Sequence, residues 1–167
     1  MTARVIVRDA GEADLPALLE IYNNAVLNET SIWHDEIDDI AKRRAWWEAR
    51  VSRGFPVYVA DVDGAVAGYG TFGDFRPHQG YRFTVEHSIY VAVPAQRRGI
   101  GSVLLTRLIA DARRLNMHAM VGGIAADNAA SIALHVRFGF VETARMPQVG
   151  FKFGRWLDLV LMQKMLD

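Results

Sequence analysis

The chain has 167 residues, 51% hydrophobic and 23% charged, enough apolar material to bury a core and too much for a disordered chain. With 19 basic and 19 acidic residues, it lacks the basic excess on which a dedicated nucleic-acid binder depends. No cysteine is present, which excludes a disulfide framework, a thiolate metal site and a cysteine nucleophile.

Residues 1–6 carry neither a long apolar run nor a small-residue cleavage pattern, so no secretory leader is expected. Apolar runs elsewhere stop well short of the ~18 residues a membrane span needs. The expectation is one soluble domain over 1–167, in a reducing compartment.

Residues 4–8 alternate apolar and basic side chains, a strand signal. Asp9 lies three before Glu12, the capping-box spacing with Asp9 as cap. Leu15, Leu18, Leu19 and Tyr22 then mark one helix face to about Leu27. Residues 28–37 read as a loop with Glu29, Thr30, Trp33 and His34. A more polar helix is predicted over 39–53, with Trp47 and Val51 inward.

Residues 57–62 and 65–72 form a predicted hairpin, since Asp63-Gly64 suits a two-residue turn with positive φ. Residues 73–80 make a polar loop, and 82–93 the longest β-rich run, ended by Pro94. From Gly99 the period becomes helical, with Leu104, Leu105, Leu108, Ile109 and Ala112 on one face to about Leu115. A strand over 117–124 follows. A short helix then opens at Asp127 or Asn128, with Ile132, Ala133 and Val136 inward, and stops at Gly139. Strands over 140–146 and 156–165 close the chain, joined by a Gly-rich loop carrying Lys152 and Arg155. The order β-α-α-β-β-β-α-β-α-β-β is α+β, with a parallel crossover around the Gly99 helix.

The chemistry concentrates between the long strand and that helix. In Gln96-Arg97-Arg98-Gly99-Ile100-Gly101 two glycines remove Cβ atoms where a ligand could approach the backbone. Free amides of the helix's first turn, the positive end of its dipole and two arginines suit a pyrophosphate. The motif is neither G-x-G-x-x-G nor a P-loop, and on its own it equally describes an ordinary helix start. The five histidines lack metal-ligand spacing, so no metal is expected.

Joined to Val85-Glu86-His87-Ser88-Ile89-Tyr90-Val91 before it, and to Asn128, His135 and Arg137-Phe138-Gly139-Phe140 after it, this segment resembles the GNAT superfamily of acyl-CoA N-acyltransferases. Ile21-Tyr22-Asn23, Gly73-Asp74-Phe75-Arg76 and residues 146–156 extend the similarity to the phosphinothricin acetyltransferase branch. Within it, bacterial methionine sulfoximine and methionine sulfone acetyltransferases are most similar. The resemblance implies a mixed central sheet of about seven strands flanked by about four helices. It also implies a cytoplasmic homodimer that uses acetyl-CoA and a small amino-acid substrate, with no nucleic-acid or membrane partner.

Site residues follow from the same resemblance. Glu86 is the expected base for the attacking amine. His135 stands where many relatives place a tyrosine acid, and reads either as an acid for the thiolate or as a packed polar residue. Ile89, Tyr90 and Val91 should present backbone to the acyl and pantetheine groups, with the Val91 N–H polarising the thioester. Arg97, Arg98, Gly99, Ile100, Gly101 and Ser102 should hold the pyrophosphate, with Asn128 and Ser131 nearby. Arg76 is expected to hold a substrate carboxylate. Thr30, Pro77, His78, Glu86, His87 and Ser88 are expected to complete the acceptor pocket.

Overall fold

The computed structural model describes residues 4–167; residues 1–3, on which part of the leader reading rests, lie outside it. The eleven principal elements follow the predicted order: β1 (Val5–Asp9), α1 (Leu15–Asn28), α2 (Ile40–Ser52), β2 (Val57–Val62), β3 (Ala65–Asp74), β4 (Thr84–Val91), α3 (Ile100–Arg114), β5 (Ala119–Ala125), α4 (Ala129–Arg137), β6 (Val141–Lys152) and β7 (Arg155–Met165). The strands form one seven-stranded sheet in the order β1-β2-β3-β4-β5-β7-β6. Every neighbouring pair is antiparallel except β4 and β5, which the α3 crossover makes parallel.

Hydrophobic periodicity assigns each helix to a sheet face. Leu104, Leu105 and Leu108 of α3 are fully buried against one face, with Phe72, Val85 and Met120. Each such side chain contributes about 1.5–3 kcal/mol on burial. Leu18 and Ile21 of α1 cover the other face over Val57, Val59 and Tyr69. At the β2–β3 hairpin, Asp63 (φ 52°) and Gly64 (φ 87°) adopt the positive φ values that the Asp-Gly turn predicts.

Four local expectations are corrected. Asp9 is the last residue of β1 and no cap; Asp14 instead accepts the Gly11 amide at 2.8 Å and pairs with Arg8. Asp39, by contrast, does cap α2, accepting the Lys42 amide at 2.8 Å. Val51 is 48% exposed; α2 turns inward through Trp46, edge-on to Tyr69, and through a buried Arg43 paired with buried Asp38. Along α4, Ala133 and Val136 face solvent while His135 is buried, so the polar residue took a position that periodicity gave to apolar ones. The loop expected over 147–155 is mostly strand: β6 runs to Lys152, and only Phe153 (φ 52°) and Gly154 (φ 73°) turn the chain.

Candidate active site

Parallel pairing of β4 with β5 covers only Thr84–Glu86 against Ala119–Val121. Beyond Glu86 the strands part and leave a cleft of about 1150 Å³ between them. Amide directions alternate along a strand, and the Ala92 amide bonds Ala67 on the β3 side at 2.9 Å. The N–H groups of Ile89 and Val91 therefore point the other way, into the split. That places a backbone donor where a thioester carbonyl could be polarised.

The mouth of α3 forms one end of this cleft. Gly99 caps the helix at φ 83°, Arg97 precedes it at φ 59°, and the first amide bonded inside the turn is that of Ser102, to Gly99 O at 3.0 Å. The Ile100 and Gly101 amides precede that first bond and remain available to an anion. A Cβ on Gly101 would already lie 3.2 Å from Leu134, so the cradle has little room for a side chain. Neither Arg97 nor Arg98 is ion-paired among the described residues. One free cation on the cleft wall, Arg97, and two free amides at a narrow backbone step offer what a pyrophosphate needs. Arg137, which the sequence reading did not assign to the cofactor, donates to Ser102 Oγ at 2.7 Å and lines the same cleft.

Glu86 lies on the other side of the cleft with its side chain 38% exposed. Burial pushes its carboxyl above the usual range, against the pull of Arg76 and Arg50. The Arg76 guanidinium stands 3.8 Å from Glu86 Oε2, bonds Phe75 O at 2.8 Å and stacks on the Phe75 ring. Gly123 of β5 faces the same carboxyl: a Cβ there would sit 3.5 Å from Oε1. Pro77 and His78 are exposed and lie outside the cleft walls, so the structure does not join them to Glu86. Arg98 and Arg76 also stand outside those walls, Arg76 meeting the site only through its 3.8 Å approach to Glu86. Thr30, His87, Ser88, Tyr90, Asn128 and Ser131 do line the cleft, and Asn128 additionally caps α4 through the Ser131 amide at 3.1 Å.

His87 and His135 meet where β4 and β5 begin to part. Their Nε2 atoms are 2.8 Å apart, His87 Nδ1 is 3.0 Å from Val121 O, and His135 Nδ1 is 2.6 Å from Ser131 O. Gly122 makes the space, since a Cβ there would come within 2.8 Å of the His87 ring. Burial lowers both imidazoles, His87 to about 3, so both are neutral at pH 7. Two neutral rings supply two protons to three contacts. A carbonyl only accepts, so at most two of the three contacts are hydrogen bonds at once, and donation from His135 to another group requires one of its own contacts to open. His87 is thus a bridge across the split and is not free to bind substrate.

This bridge has a pH signature. A histidine depressed in the folded state loses stability as pH falls below its unfolded value near 6.5. We expect the Tm of the wild-type chain to drop steadily from about pH 6.5 to pH 4, and the slope to be shallower in His87→Gln. Parallel slopes in a thermal-melt series would show that His87 is not held neutral.

Comparison with known proteins fits this geometry. Residues 17–140 match the Acetyltransferase (GNAT) family. The chain belongs to the GNAT acetyltransferase family. It is 54% identical over 161 residues to an L-methionine sulfoximine/L-methionine sulfone acetyltransferase of Salmonella typhimurium, covering 96% of this chain and 94% of that one. A phosphinothricin N-acetyltransferase of Alcaligenes faecalis is 38% identical over 96% of this chain and 82% of its own length. An acetyltransferase structure from Salmonella typhimurium, solved with its cofactor acetyl-CoA, superposes with a TM-score of 0.96 at 53% identity, covering 98% and 94% of the two chains.

This GNAT chain is accordingly an acetyl-CoA-dependent N-acetyltransferase. Its seven-stranded mixed sheet with four helices is the fold the sequence resemblance implied. Among the described residues no group of three or more His, Asp or Glu is placed to hold a metal, and no helix is long and apolar enough to cross a membrane.

Proposed function

We propose that the chain transfers acetyl from acetyl-CoA to the α-amino group of a small amino-acid analogue of the methionine sulfoximine, methionine sulfone or phosphinothricin type. The observation that carries this reading is Glu86, half-buried beside Arg76 at the point where β4 and β5 part. Acetyl-CoA supplies a thioester carbonyl open to attack by a neutral amine. The Ile100 and Gly101 amides with Arg97 hold its pyrophosphate end, and the Val91 amide faces its acyl end. Glu86 takes the ammonium proton, directly or through water, and its raised proton affinity suits that task. His135 serves the departing sulfur as an acid only when its Ser131 or His87 contact opens. Without cysteine, a covalent acetyl-cysteine step is excluded.

Arg76, 3.8 Å from the base, supports a carboxylate-bearing acceptor, since its guanidinium offers a planar two-point match. Arg76→Ala is expected to raise KM for amino-acid substrates about 10–100-fold and to leave simple amines nearly unaffected. An equal loss for both, in steady-state kinetics, would remove the carboxylate role.

The reading is tested by coenzyme A thiol release against methionine sulfoximine, methionine sulfone, phosphinothricin, common amino acids, a polyamine and an N-terminal peptide. Saturable turnover with the analogues supports it. Turnover with only the peptide or polyamine keeps the chemistry and discards the substrate. A homodimer fits the exposed apolar strip on β6 and β7, where Val149, Phe151 and Trp156 face solvent and the Phe151 and Trp156 rings meet at 5.0 Å. Light scattering that finds a monomer at micromolar concentration would discard the dimer.

A further inference from the structure

Residues 29–33 cross the cleft as a strap between its two arms. Glu29 Oε1 accepts from Gln96 Nε2 at 3.3 Å, and the same amide donates to Val91 O at 3.3 Å, at the end of β4. On the opposite arm Thr30 Oγ1 reaches Asp127 Oδ1 at 3.5 Å, and Asp127 is paired with Arg155 at 2.7 Å. Trp33 Nε1 donates back to Thr30 O at 2.8 Å, which ties the strap into one turn. Glu29, Thr30 and Trp33 all line the cleft.

Two features of β6 fix where the strap lies. Lys152 is 2% exposed, makes no ion pair among the described residues, and spends its ammonium on backbone: Glu29 O at 2.7 Å, Ala25 O at 3.4 Å and Ile32 O. Those carbonyls belong to the end of α1 and to the strap, where the negative end of the helix dipole favours a cation. Burial lowers its proton affinity, against the pull of Asp35 and Glu29. Two residues earlier, Gly150 is buried under the Trp33 indole, and a Cβ there would overlap the ring carbons. The desolvation cost of this buried cation is offset only by its hydrogen bonds to those carbonyls, so the place of the strap and the burial of Lys152 are coupled.

We propose that Lys152 and Gly150 are specificity-determining positioning residues, which fix the strap of residues 29–33 in the cleft it shares with Glu86 so that a slim amino-acid analogue is admitted and a bulkier amine rejected. The inference rests on the proposed acceptor class, whose side chains are unbranched or carry a small sulfur or phosphorus head. Lys152→Met removes the tie to the three carbonyls, and Gly150→Ala pushes the indole outward by an independent route.

The test compares kcat/KM for methionine sulfone with that for phenylalanine in the wild-type chain and in both variants. We expect KM for methionine sulfone to rise about tenfold and the ratio of the two kcat/KM values to fall about tenfold, a pocket-fit effect of the usual size. KM for acetyl-CoA should stay within about twofold, because among the described residues the strap's hydrogen bond to the 96–102 loop is the one at Gln96. A purely structural role would lower both kcat/KM values by one factor through the active fraction and leave their ratio fixed. If Lys152→Met fails to fold, Gly150→Ala decides. An unchanged ratio with an active wild-type chain overturns this inference alone; a wild-type chain silent on every amino-acid analogue overturns the proposed acceptor class and this inference with it.

Discussion

Glu86→Gln is expected to lower kcat/KM for the amine about 10²–10⁴-fold, the usual contribution of a positioned general base. Gln keeps the shape of the side chain and its place opposite Gly123, so the loss isolates the proton-accepting oxygen. The residual rate should climb with pH, because only amine already free in solution can then attack. The wild-type profile should instead show an acid limb set by Glu86, above the ordinary carboxylate range because burial outweighs Arg76 and Arg50. Removing a facing cation moves that limb further up, so Arg50→Met should shift it toward higher pH. Stability carries the opposite sign from the histidine bridge. A carboxyl whose folded proton affinity is raised stabilises the fold when protonated and loses that contribution as pH rises through its folded value. Glu86→Gln should therefore melt at a higher temperature than wild type at neutral pH and converge with it in acid. Unchanged kcat/KM from pH 6 to about 9 would show that another group takes the proton.

The elements that carry strong periodicity were readable before any coordinates. The Leu104-Leu105-Leu108 face, the Asp63-Gly64 turn and the Gly99 helix start each follow from local rules, and each stands where the sequence put it. Glu86, His87 and Val91 reach one cleft because they share β4, whose pattern was also clear. What local pattern could not show was contact between distant segments. Lys152 looked like a loop lysine, and its burial depends on carbonyls more than a hundred residues earlier. The His87–His135 bridge likewise joins β4 to α4, and it puts His135 inward in place of Ala133 and Val136, while Ile132 packs on the core as its spacing predicts. Gly122 and Gly123 were plain strand glycines in sequence; only the parting of β4 from β5 gives them work, one admitting the histidine bridge and the other facing the Glu86 carboxyl. The place of Trp33 depends on Gly150 beneath its ring, a contact between distant segments that no local pattern shows.

The second large effect is expected at the cofactor end. Gly101→Val should raise KM for acetyl-CoA about a hundredfold, since one lost charge-assisted hydrogen bond removes about 1.5–3 kcal/mol and every 1.4 kcal/mol is tenfold. The argument is spatial. A Cβ on Gly101 already lies 3.2 Å from Leu134, so a branched side chain must turn into the space in front of the Ile100 and Gly101 amides. Gly101→Ala adds only the tight Leu134 contact and should cost much less, which makes the pair a graded series. The amine KM should stay near wild type, because Glu86 lies on β4 and Arg76 on the loop before it, neither on α3. Calorimetric titration with coenzyme A reads the same loss without turnover. Equal damage to both substrates would mean that the substitution unfolds the start of α3 and does not simply block the cradle. The left-handed Gly99 separates these two outcomes further. At φ 83° it tolerates no side chain without strain, so Gly99→Val should lower Tm as well as cofactor affinity, whereas Gly101→Val, already helical, should lower affinity with little change in Tm.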